Sequence, residues 1–101
     1  TKVYAVTAKF PRHEDYGLKS QLNRAANSIS LNIAEGTAKS SHKAFDYHLE
    51  IALGSTFEVV AALFLASNRT YITKVQHEAL YEDGQRLAKS ISAFRNTLLM
   101  P

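Results

Sequence analysis

The sequence predicts an all-α protein, an antiparallel up-down-up-down four-helix bundle, and three observations carry that reading. Two Pro and four Gly in 101 residues leave little punctuation, which favours long elements over many short strands. Apolar residues recur at helical spacing along most of the chain. The connectors between these periodic segments are short, and short connections make consecutive helices antiparallel neighbours. With 46% hydrophobic and 21% charged residues the chain reads as one globular domain over residues 1–101.

Val3, Val6 and Phe10 fall on one helical face before Pro11 stops it, which predicts a short first helix over Thr1 to Lys9. A polar connector, Arg12 to Asp15, follows, and Asp15 is placed to cap a second helix starting near Tyr16. Leu18, Leu22, Ala25, Ala26, Ile29 and Ile33 form that helix's buried stripe, and Gly36 is expected to end it. Ser40 or Ser41 caps a third helix from about His42 to Asn68. Thr73-Lys74-Val75-Gln76 has the form of a capping box and starts a fourth. The fourth helix carries a near-heptad seam, Leu80, Gly84, Leu87, Ile91, Phe94 and Leu98. Gly54 and Gly84 are read as points where two helices approach closely.

The third helix is apolar nearly all round. Phe45, Leu49, Ala52, Leu53, Val59, Val60 and Leu63 already fill a core face. Yet Tyr47, Phe57, Ala61, Phe64 and Leu65 share the opposite sector with the acids Asp46, Glu50 and Glu58. A helix of that kind is buried on several sides. Charge is divided in the same way: residues 1–43 carry net +4, residues 44–68 net −3 with no cation, and residues 69–101 net +2. An anionic, apolar helix between two basic flanks predicts association with other copies of the chain, with Tyr47, Glu50, Phe57, Ala61, Phe64 and Leu65 in the interface.

Enzyme chemistry finds no constellation. The chain has no Cys, hence no disulfide frame, thiolate metal site or Cys nucleophile, and the expected address is cytoplasmic. No Glu-x-x-His occurs, so the di-metal reading of helical bundles fails, and His42 with Asp46 supplies two ligands where a site needs about four. Gly36-Thr37-Ala38-Lys39-Ser40 lacks the second Gly of a phosphate loop, and Leu53-Gly54-Ser55 sits mid-helix without the frame of a nucleophile elbow. No cofactor and no metal are expected. His48 reads as a packed, hydrogen-bonded residue. The acids of the third helix interrupt its apolar run, so no membrane span is expected, and no signal peptide opens the sequence.

Four segments together resemble a known family: Tyr16-Gly17-Leu18; Gln21 to Ala26; Ser28 to Gly36 with its Asn-Ile-Ala-Glu-Gly; and Ile51-Ala52-Leu53-Gly54-Ser55. They resemble the four-helix-bundle proteins encoded in 23S rRNA intervening sequences, a fold shared with the accessory variability determinant of diversity-generating retroelements. The resemblance implies a ring-like homopentamer, no known catalysis and a suspected nucleic-acid role. It also implies a first helix that begins before Thr1, since ten residues rise only ~15 Å. Asn23-Arg24 stands where the family commonly has paired basic residues, and Ser30 where it has Pro, so that basic contact rests on Arg24 alone. With a pI of about 9.3, the basic positions offered to RNA, DNA or a nucleic-acid enzyme are Arg24, Lys39, Lys43, Arg86 and Lys89. A protein-interaction module whose basic pI is incidental is the rival reading, and a small enzyme or metal carrier the third.

Overall fold

In the computed structural model, which describes residues 2–99, the chain forms a rod of 48 × 24 × 17 Å. Its elements are α1 (Lys2–Thr7), a 3₁₀ turn (Arg12–Glu14), α2 (Leu18–Thr37), α3 (His42–Asn68) and α4 (Lys74–Leu99). No strand occurs among the described residues. Helix α3 lies at the centre and packs along both α2 and α4, while α1 packs on α2. Ser28 meets Ser55, Asn32 meets His48 and Gly36 meets Phe45, so residue numbers fall along α3 as they rise along α2. Val60 against Gly84 and Asp46 against Arg95 show the same relation between α3 and α4.

The expected starts of α3 and α4 are made by side chains. Ser41 Oγ accepts from the Ala44 amide at 3.1 Å. Thr73 Oγ1 accepts from the Gln76 amide at 3.1 Å while Gln76 Oε1 accepts from the Thr73 amide at 2.8 Å, a complete capping box. The start of α2 differs from the sequence reading. Asp15 caps nothing; instead Glu14 Oε1 reaches the Leu18 amide at 3.2 Å, and α2 begins at Leu18, leaving Tyr16 fully exposed. The 3₁₀ turn folds Glu14 back over the helix end, so its longer side chain takes the amide that Asp15 was expected to hold. Gly36 does not end α2 either. The helix runs on to Thr37, and Gly36 is buried because a Cβ there would stand 2.7 Å from the Phe45 ring.

Two buried clusters hold the rod. Phe10, Leu18, Leu22, Ala25, Val59, Ala62, Leu63, Ala66 and Ile72 form the larger, with Val3 and Val6 of α1 packed against it. Leu49, Ala52 and Ile91 form the smaller, with Ile29, Ile33, Phe45 and Leu98 around them. The expected stripe of α2 is therefore its core face. On α4, Gly84 is a true close approach, its missing Cβ leaving room for Val60 Cγ2 at 2.8 Å. Leu87 and Phe94 of the α4 seam stay partly exposed although Phe94 meets the Phe45 ring of α3 edge to face at 5.3 Å.

Glu14 is the hub at one end of the rod. Its Oε2 accepts from Arg69 Nη1 at 2.7 Å and from the Tyr71 hydroxyl at 2.8 Å, and Tyr71 stacks on Phe10 at 5.3 Å. The Leu18 amide, then the Tyr71 hydroxyl, then Arg69 hold the Glu14 carboxyl below the ordinary glutamate range against the opposing effect of burial. A depressed folded-state pKa contributes stability above the unfolded value, ~4.3, and loses it as pH falls through the folded value. We expect the acid limb of the melting temperature to be shallower in Glu14→Gln than in the native chain, with a lower plateau near pH 7. Thermal melts from pH 2 to 7 check this, and parallel acid limbs would refute it.

Candidate interfaces on the third helix and the basic surface

Between the core-facing sides of α2 and α3 runs a polar seam. Ser55 Oγ donates to Ser28 Oγ at 2.8 Å, Asn32 Nδ2 donates to the Ser28 carbonyl at 2.9 Å, and His48 Nδ1 lies 3.1 Å from Asn32 Oδ1. His48 is thus the packed, hydrogen-bonded residue the sequence suggested. Its ring also stands 3.7 Å from a Glu35 carboxylate oxygen, at the α2 end where helix carbonyls disfavour a negative charge. Among the described residues no buried side-chain polar atom lacks a partner, so this seam holds no orphaned group that asks for a ligand.

The opposite side of α3 is another matter. Tyr47, Phe57 and Phe64 are 60%, 53% and 55% exposed, and Leu65 and Ala61 are exposed beside them. Apolar faces of this kind mark interaction sites. Tyr47, Glu50, Gly54, Phe57, Ala61, Phe64 and Asn68 follow one another at steps of three and four, the spacing of a helix seam that receives another helix. Glu50 sits on this face with its carboxylate 3.8 Å from Arg95, while Asp46 turns inward to a charge-assisted bond with Arg95 Nε at 2.7 Å. That bond with Asp46 holds the Arg95 pKa above its ordinary value against burial. All six sequence-derived interface positions therefore share one exposed face.

Two features of the face escaped the sequence reading. The first is the setting of Gly54: a Cβ there would meet nothing within 4 Å, so no helix of the same chain approaches it closely, and the residue is exposed. An exposed mid-helix Gly costs up to ~1 kcal/mol against Ala, and nothing inside the chain offsets it. The second feature is a cavity of about 430 Å³ lined by Val60, Ala61, Phe64, Leu65, His77 and Tyr81, which extends the apolar face onto α4. Its rings stand in a row, Phe64 to His77 at 6.3 Å and His77 to Tyr81 at 6.4 Å. The step pattern through Gly54 was legible beforehand; the neighbourhood of Tyr81 and Phe64 was not.

The sequence-derived basic positions are not gathered in one patch. Arg24 lies on the outward side of α2, in a shallow polar groove with Ser20, Asn27 and Leu31. Lys39 and Lys43 flank the turn into α3, and Arg24 stands 13 residues before the end of α2, about 20 Å along its axis at 1.5 Å per residue. Arg86 and Lys89 stand one turn apart on α4. Arg86 is bound to Asp83, which also takes Lys2 Nζ at 2.9 Å, and those two cations, Lys2 first, hold the Asp83 carboxyl below its ordinary range. Arg24, Lys39, Lys43 and Lys89 make no ion pair among the described residues, and neither do Lys9, Arg12 and Lys74 near the other end of the rod. No group of three or more His, Cys, Asp or Glu among the described residues could hold a metal.

The expectation about apolar runs also needs correction. From residue 51 to residue 68 Glu58 is the lone charge, and α3 is long and apolar enough by composition to cross a membrane. In the fold that hydropathy is spent on helices: one side packs on α2, another on α4, and a third is the exposed aromatic face.

The chain is thus a small all-α helical bundle with a central apolar helix and an exposed aromatic face. The sequence profile of the 23S rRNA-intervening sequence proteins matches residues 1–93, and the chain belongs to that family. Among solved structures it is similar to a protein of unknown function from the S23 ribosomal protein family of Bacteroides thetaiotaomicron. The TM-score is 0.83 at 26% sequence identity, over 93% of this chain and 87% of that one. No curated protein matches the chain significantly.

Proposed function

We propose that this chain is a non-enzymatic, antiparallel four-helix bundle that assembles with copies of itself through the outward face of α3. In the assembled form, a ring-like homopentamer by the family resemblance, it binds nucleic acid through the basic surface that several copies multiply. The observation that carries the reading is the face itself, with three aromatic rings more than half exposed along a helix whose other sides are packed. Burying it covers Glu50 and Glu58 and leaves outside the free cations at the two ends of the rod, Lys39 and Lys43 at one and Lys9 and Arg12 at the other, which raises the positive field per particle. Helix α3 lies between its neighbours as a core helix in this reading, and the protein works in the cytoplasm without metal or cofactor.

Phosphate contacts by separated Lys and Arg side chains give affinity with little sequence preference. Each phosphate neutralised on duplex DNA contributes about 0.9 to the slope of log affinity against log salt. We expect binding of structured RNA and duplex DNA to weaken steeply with salt in mobility-shift titrations. The double variant Lys39→Ala with Lys43→Ala should flatten the slope by about two for every subunit in contact. Arg86→Ala should flatten it less, because Asp83 already neutralises that guanidinium. No complex at ~50 mM salt, where such contacts are strongest, would refute the nucleic-acid role and leave a protein-interaction module, a reading that the Arg86–Asp83 and Lys2–Asp83 pairs favour by lowering the free charge on α4.

A further inference from the structure

We infer that a helix of a second copy crosses α3 at Gly54, backbone close to backbone, in a furrow floored by Gly54 and Ala61 and walled along one side by Phe57 and Phe64. The inference rests on the self-association reading and says how that contact is built. Four glycines occur in the chain, and three have a steric reason inside it. A Cβ at Gly17 would stand 2.7 Å from Glu14 Oε1, at Gly36 2.7 Å from the Phe45 ring, and at Gly84 2.8 Å from Val60. Gly54 alone faces open space in the middle of a 27-residue helix.

The surroundings of Gly54 say what fills that space. Ala61 repeats the small side chain one heptad on, while Phe57 and Phe64 alternate with the two small residues along the same seam. A ridge entering such a seam brings two helix axes to the short end of the usual 8–10 Å range. The open apolar cavity beside Ala61, walled by Phe64, Leu65, His77 and Tyr81, then takes a large side chain from the incoming helix. A second copy is the occupant that charge favours. The face carries Glu50 and Glu58, and α3 has no cation beyond Lys43, whereas the rest of the chain is net basic and bears free Lys and Arg on α2 and α4. A copy meeting the face through one of those helices brings the opposite sign to the rim.

The test is sedimentation of Gly54→Ala and Gly54→Leu beside the native chain, with far-UV circular dichroism and melting of each. An added methyl meets nothing in its own chain and raises helix propensity, so Gly54→Ala should fold fully and the dissociated chain should melt higher. Its self-association should nevertheless weaken at least tenfold, and Gly54→Leu should be monomeric. Ala61→Leu, one heptad away, should repeat the loss. If Gly54→Ala assembles as tightly as the native chain, the close crossing is wrong although self-association stands. If the native chain itself sediments as a monomer, the reading beneath the inference falls.

Discussion

Phe57→Lys is expected to convert the assembly into folded monomers, the largest effect of any single exposed substitution in this chain. The ring of Phe57 is 53% exposed, so the monomer's core does not depend on it and helicity should be unchanged. In the assembly, loss of the aromatic removes about half of the roughly 1.5–3 kcal/mol that full burial of such a ring contributes, since the ring is already half covered in the single chain. A lysine ammonium in its place must then be desolvated beside Phe64 and Gly54, a further cost of several kcal/mol. At ~1.4 kcal/mol per tenfold, the two together weaken association by at least a hundredfold. Sedimentation equilibrium at micromolar concentration should show the native chain as a multiple of 11.2 kDa and the variant as a single chain with the native circular dichroism spectrum. An assembly unchanged by Phe57→Lys would show that copies meet elsewhere. A native chain of monomer mass would refute self-association altogether.

The parts of the fold legible in the sequence are those fixed by short-range chemistry. Thr73 and Gln76, or Ser41 and Ala44, lie within one turn of each other, so cap and helix start are written side by side. The stripe from Leu18 to Ile33 could be read for the same reason: one helical period decides which side faces inward. Glu14 was not legible as the cap of α2, because its role needs the 3₁₀ turn and is reinforced by Arg69 and Tyr71 from the far end of α3. Asp46 was grouped with the exposed acids of α3, and only the distant Arg95 turns it inward. Arg86 was legible in principle, since Asp83 lies three residues before it on the same helix face. On the candidate interface, periodicity alone places Tyr47, Phe57 and Phe64 together. Whether Gly54 meets another helix of the same chain is a tertiary fact, and the open space around it shows that none comes close.

Truncating Leu22 should produce the largest loss of fold stability. Leu22 has no exposed surface and sits in the larger cluster with Leu18, Ala25, Leu63 and Ala66, where α2 crosses the C-terminal half of α3. The adjacent positions are small or already packed, so the surroundings have little with which to fill the space of three lost carbons. Leu→Ala at such sites costs ~2–5 kcal/mol, the upper part of the range where the cavity cannot collapse. For a chain of this length each kcal/mol lowers the melting temperature by roughly 4–8 °C, so Leu22→Ala should melt some tens of degrees below the native chain. Leu31→Ala, nine residues along the same helix on its outward side, should change the melting temperature by no more than a few degrees, since exposed substitutions fall within about 0.5 kcal/mol. Because assembly stabilises the folded chain by mass action, both variants belong in the Phe57→Lys background, where melting reports the single bundle. Equal melting temperatures for Leu22→Ala and Leu31→Ala in that background would mean that α2 does not present this stripe to α3, and the arrangement of the core would have to be redrawn.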